Sequence, residues 1–149
     1  YNEWFNKIKI PPVEIKNFKV IYIYRNPIDV IFSRFIGPNK PHLKNVMCEN
    51  ENITLEDVVV QKKDLYKLDE FYENYTVKQN KNYPIYCIKY EQFFNNIELF
   101  NKTLGIPNIK KLYPQKYERK KKKYYLKQLN IIYRPLISKM QKMPFIKII

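Results

Sequence analysis

Glycine is nearly absent: Gly37 and Gly105 are the only two in 149 residues. A G-x-x-x-x-G-K-[ST] phosphate loop and a G-x-G-x-x-G dinucleotide turn both need glycines at fixed spacing, so neither is encoded within these residues. Any phosphate bound here is gripped by side chains and helix ends. Cysteine is as scarce, with Cys48 and Cys87 alone, which excludes a disulfide framework. Cys87 lies in an apolar run, where a buried free thiol is expected. The single histidine, His42, falls in a polar stretch and is not singled out for catalysis. No run approaches the roughly 18 apolar residues of a membrane span, although Pro144 to Ile149 is mostly apolar, so a soluble chain is expected. Acidic residues are missing from one region only. Residues 110–149 hold 13 basic groups against Glu118 alone, net +12, whereas residues 1–109 hold 15 basic and 13 acidic, net +2.

What is present is apolar and aromatic: 45% hydrophobic residues and 14 tyrosines, a composition that folds rather than stays disordered. One domain is the expectation for this length. The chain begins at Tyr1 and its opening residues lack the apolar stretch of a signal peptide. It therefore reads as an internal or C-terminal piece of a longer protein. The basic last third points to an anionic partner, with part of that charge expected as a solvated face.

Phe18 to Tyr24 is β-branched and aromatic, almost continuous in apolar character, and reads as a strand covered on both faces. Pro27 suits the first position of a helix, with Asn26 as N-cap and Asp29 placed to complete a capping box. Ile28, Ile31, Phe32 and Phe35 then form a buried stripe, and Asp29 and Ser33 share another face. Residues 39–52 read as a loop. Thr54 and Asp57 mark a second helix start, and the apolar spacing predicts one helix over Leu55 to Tyr75. A second buried strand is predicted over Ile85 to Tyr90, followed by Glu91 and a helix that Gly105 terminates. Two such strands joined by helices predict an α/β fold with a parallel sheet and a ligand site beyond its carboxyl ends, where Arg25 and Tyr90 lie. Lys123 to Met143 predicts a terminal helix broken near Pro135.

The run Lys19-Val20-Ile21-Tyr22-Ile23-Tyr24-Arg25-Asn26-Pro27-Ile28-Asp29-Val30-Ile31-Phe32-Ser33-Arg34-Phe35 resembles the 3′-phosphate-binding motif of sulfotransferases that use 3′-phosphoadenosine 5′-phosphosulfate. In that family a strand ends in Arg-Asn-Pro-x-Asp-Val and a serine follows eight residues after the arginine. The resemblance implies that Arg25 and Ser33 hold the 3′-phosphate, and the chemistry is apt: a guanidinium fork and a hydroxyl suit a phosphate monoester, and the adjoining helix N-terminus favours an anion. Tyr83 to Asn96 is similar to the family's later strand ending in Tyr-Glu-Asp, with Gln92 in place of the Asp, and implies that Tyr90 contacts the adenine. The family's C-terminal Arg-Lys-Gly is matched only by Arg119 and Lys120, without the glycine. The phosphosulfate loop, with its lysine, has no counterpart here, and no residue is assigned as catalytic; Glu3 lies in roughly the region of the family's base.

The resemblance implies a P-loop-NTPase-like parallel sheet flanked by helices, incomplete for want of the phosphosulfate-loop portion, with residues 1–149 as one partial domain and 110–149 as a basic, mainly helical end. It also implies transfer of a sulfuryl group to an acceptor hydroxyl or amine on a small molecule, glycan or protein, without a metal, in the cytoplasm or the Golgi lumen. The alternative is a non-catalytic basic module in which Tyr113, Tyr117, Tyr124, Tyr125 and Tyr133, interleaved with lysines, hold nucleic acid or a sulfated glycan.

Overall fold

The structure, a computed structural model, describes residues 19–35, 52–77, 83–107 and 123–149. Within them the fold is mixed α/β: strands β1 (Val20–Tyr24), β2 (Ile85–Lys89) and β3 (Ile146–Ile148), and helices α1 (Pro27–Arg34), α2 (Leu55–Gln61), α3 (Leu68–Thr76), α4 (Tyr90–Phe93), α5 (Ile97–Leu104), α6 (Lys123–Ile132) and α7 (Arg134–Lys142). β1 and β2 pair in parallel, as their apolar sequences predict, with Tyr24 opposite Lys89. β3 joins the far edge of β2 antiparallel, with Tyr86 opposite Ile148, so the sheet is mixed and ordered β1-β2-β3. The short apolar C-terminus gives no sequence sign of β3; pairing with β2 is what makes it a strand.

Alternation along the strands sorts the core. Tyr24, Ile85 and Cys87 face one side, where Ile28, Ile31 and Phe32 of α1 and its C-cap Phe35 pack with Val58, Tyr72, Tyr75, Leu129, Tyr133 and Leu136. Ile88 faces the other side and packs with Phe93, Phe100 and Leu104. That second layer does not extend over β1: Ile21 and Ile23 are 42% and 51% exposed. The expectation of a strand covered on both faces therefore holds for β2 and fails for β1, whose odd-numbered side chains have no helix of the described residues over them.

The single helix expected over Leu55 to Tyr75 is two. Lys62 adopts a left-handed conformation with φ 51° and ends α2, and Lys67 does so again, with φ 52°, just before α3. Between them Asp64 supplies the tertiary reason for the break. Its carboxylate accepts the Asp69 N–H at 2.8 Å and the Tyr133 hydroxyl at 2.7 Å, tying the α2–α3 turn to the junction of α6 and α7. Apolar period alone could not register a capping carboxylate. The break near Pro135 is as predicted, since Tyr133 separates α6 from α7 and Pro135 occupies the first turn of α7, where its missing N–H costs nothing.

Burial raises the Asp64 carboxyl above its ordinary value, against the three hydrogen bonds that lower it. A carboxyl whose folded-state pKa exceeds its unfolded one binds more protons when folded, so its contribution to stability is present at low pH and declines as pH rises through the folded value. Asp64→Asn removes that dependence. The stability difference between variant and wild type, measured by urea unfolding, should shift toward the variant as pH climbs from about 4; a difference that stays constant with pH would contradict it.

Candidate functional site

Because Tyr24 stands opposite Lys89, β1 and β2 end level, and the next residues, Arg25 and Tyr90, emerge side by side beyond the carboxyl ends. The Arg25 guanidinium lies over the Tyr90 ring, 5.0 Å from its centroid. Its Nη2 is 3.8 Å from Asp29 Oδ2, one helical turn on, a loose pair on a partly exposed surface. Arg25 Nε is buried and has no hydrogen-bond partner among the described residues. Tyr90 in turn meets Phe94 edge-on at 5.6 Å, so the platform under the guanidinium is itself braced.

The turn after β1 is held from two directions. The Asn26 side chain caps α1 by accepting the Ile28 N–H at 2.9 Å, as the sequence predicts. The Asn26 N–H donates to Glu91 Oε1 at 2.5 Å, although the sequence pattern offers Asp29 for that role. This contact joins positions 65 residues apart in the chain. Each end of it is the immediate neighbour of a site residue, Asn26 of Arg25 and Glu91 of Tyr90, so it fixes where the guanidinium sits relative to the ring.

Arg25, Ser33 and Tyr90 all line one cleft of ≈ 410 Å³ at this end of the sheet. Pro27, Val30, Ser33 and Arg34 recur at helical spacing and present one face of α1 to it. Ser33 is half-buried, and its hydroxyl donates back to the Val30 carbonyl at 3.1 Å. Leu68, Phe71 and Met140 supply an apolar wall opposite. The lining thus contains two guanidiniums, Arg25 and Arg34, and no carboxylate among the described residues. Apolar walls with a few convergent polar groups of one charge describe a site for a largely apolar ligand bearing an anionic group.

No family model, no curated protein and no solved structure matches this chain. What speaks for the site is therefore its own geometry. Arg119, Lys120, Glu3 and His42 lie outside the described residues. Sequence reasoning missed Glu91 and Arg34 as members of the site; the only local signals were adjacency to Tyr90 for the first and the seven-residue step from Pro27 for the second.

Two other features are structural. Burial pushes the Cys87 thiol up to about 11, and it donates to the Tyr75 carbonyl at 3.3 Å, so it is a core residue and not a thiolate nucleophile. Asn101, which fits a glycosylation pattern, is 4% exposed within α5 and is closed to a bulky glycan. Among the described residues no group of His, Cys, Asp or Glu could hold a metal ion, and no helix is long and apolar enough to cross a membrane.

Proposed function

We propose that this chain is the donor-binding part of a sulfotransferase using 3′-phosphoadenosine 5′-phosphosulfate. The observation that carries the reading is the convergence of Arg25, Ser33 and Tyr90, the three residues of the described chain that the family resemblance implies as donor contacts, on one cleft with two guanidiniums and no carboxylate in its described lining. Arg25 and Ser33 grip the 3′-phosphate, the group that separates this donor from ATP, and Arg34, next to Ser33 in the last turn of α1, adds a second positive charge to the cleft. Tyr90 and the apolar wall take the adenine.

In the reaction the acceptor oxygen or nitrogen attacks sulfur, and the bond from sulfur to the 5′-phosphate oxygen breaks. That oxygen keeps the electron pair, and the acceptor's proton passes to a base. The residues of this cleft contribute orientation of the nucleotide end remote from the sulfur, which lowers the barrier by positioning. Arg119 and Lys120 are proposed as further phosphate contacts.

The alternative, an aromatic and basic surface for nucleic acid or glycan, loses support from the tyrosines it needs. Tyr133 is buried in the core with its hydroxyl on Asp64, and the Tyr125 hydroxyl is engaged by Glu56 at 3.0 Å. Only Tyr124 of the three described is largely exposed. Isothermal titration of the chain with adenosine 3′,5′-bisphosphate and with AMP tests the proposal: the bisphosphate is expected to bind the more tightly, and equal affinities would refute it.

A further inference from the structure

Ser33 and Arg34 are neighbours in the last turn of α1, and both line the cleft. They differ in what they can still offer an anion. A hydroxyl carries one proton, and that of Ser33 is already donated to the Val30 carbonyl at 3.1 Å. A phosphate monoester at neutral pH presents acceptor oxygens, so Ser33 cannot donate to one without giving up that bond. Arg34 carries a fork of N–H donors on an exposed side chain. Its guanidinium has no hydrogen bond or ion pair among the described residues.

Cations with a structural role in this fold engage an acceptor. Lys139 bridges Asp69 and Glu73, Lys89 donates to the Met143 carbonyl and Lys19 to the Leu104 carbonyl. Arg34 does neither. A cation in the last turn also favours the helix dipole, but it does so from any face of the helix. Arg34 stands on the face of α1 that Pro27 and Val30 present to the cleft. Side chains of an α-helix lean toward its N-terminus, which here is the Arg25 end. The eight residues of α1 span about 12 Å, a distance along which an arginine stem can reach and a serine cannot.

We infer that Arg34 is a specificity-determining residue of the cleft, its guanidinium donating a two-point contact to the phosphate monoester that Arg25 grips from the other end of α1. The identity of that phosphate rests on the nucleotide reading above; the committed Ser33 proton and the open Arg34 fork are separate observations. Two guanidiniums, with no carboxylate in the described lining, match the double negative charge of a terminal monoester. The second grip on the phosphate therefore falls to Arg34 more than to Ser33, although the family resemblance implies the serine. A nucleotide without the 3′-phosphate leaves the exposed Arg34 in water, so its contribution is confined to the bisphosphate.

Arg34→Gln, Arg34→Lys and Ser33→Ala test this in the full chain, by isothermal titration with adenosine 3′,5′-bisphosphate and with AMP. Arg34→Gln is expected to bind the bisphosphate about tenfold more weakly, with AMP affinity unchanged. Ser33→Ala should lose less than Arg34→Gln does. Arg34→Lys keeps the charge without the fork and should fall between the glutamine variant and wild type. Bisphosphate affinity of Arg34→Gln equal to wild type, or a loss smaller than that of Ser33→Ala, would overturn the inference while leaving the nucleotide reading intact. Equal losses for the bisphosphate and AMP would overturn it too, by showing that Arg34 acts on the cleft as a whole and not on the 3′-phosphate. A wild-type chain that does not prefer the bisphosphate removes the nucleotide reading and this inference together.

Discussion

Arg25→Ala is expected to erase the preference for adenosine 3′,5′-bisphosphate over AMP, weakening bisphosphate binding by about 1.5–3 kcal/mol, the range for hydrogen bonds to a charged partner. The structure leaves this guanidinium largely available. Its contact with Asp29 is 3.8 Å long, and its face rests on the Tyr90 ring, which orients the fork without occupying its donors. Arg25→Lys keeps the charge and should recover part of the loss, but an ammonium lacks the planar fork and stacks less well, so wild-type selectivity should not return. Ser33→Ala should cost less than either, because the Ser33 hydroxyl already donates to the Val30 carbonyl. Loss of the loose, partly exposed ion pair should move stability little. Titrations in which Arg25→Ala retains the wild-type affinity ratio would remove Arg25 from the site.

The parts of this site legible in the sequence are those set by local chemistry. Pro27 and Asn26, two adjacent residues, dictate a helix start, and α1 begins there with Asn26 as its cap. The stripe from Ile28 to Phe35 is a period within one helix, and all four of its residues are buried. Gly105 ends α5 in a left-handed conformation, with φ 66°, for the reason any C-terminal glycine does. What was not legible depends on distant pairings. The Asp64 carboxylate splits α2 from α3 because Tyr133, 69 residues away, meets it. β3 exists through its register with β2. The exposure of Ile21 and Ile23 follows from which helices cover which strand, a property no window of β1 contains. In the site itself, Arg25 and Tyr90 could each be chosen alone, whereas their stacking required the level ends of two strands.

Glu91 is the sharpest case of that long-range dependence, and its two obvious substitutions should act in opposite directions. Its carboxylate accepts the Asn26 N–H and so holds the residue after Arg25 to the residue after Tyr90. Its negative charge also stands near an anion site; it already helps to raise the Tyr24 phenol, after burial and the neighbouring Tyr72 and Cys87. Glu91→Gln keeps an oxygen acceptor for the N–H while removing the charge, so bisphosphate affinity should be equal to or tighter than wild type. Glu91→Ala removes the acceptor as well, freeing the β1–α1 turn from the end of β2, and should weaken the bisphosphate by about 1–2 kcal/mol, since the phosphate fork and the base platform are no longer fixed relative to each other. AMP, which does not use the fork, should lose less. A purely electrostatic role predicts tighter binding in both variants, and a purely structural one predicts lower melting temperatures without a change in the bisphosphate-to-AMP ratio. Glutamine and alanine variants that shift affinity in the same direction would therefore show that the contact between Glu91 and Asn26 does not position the site.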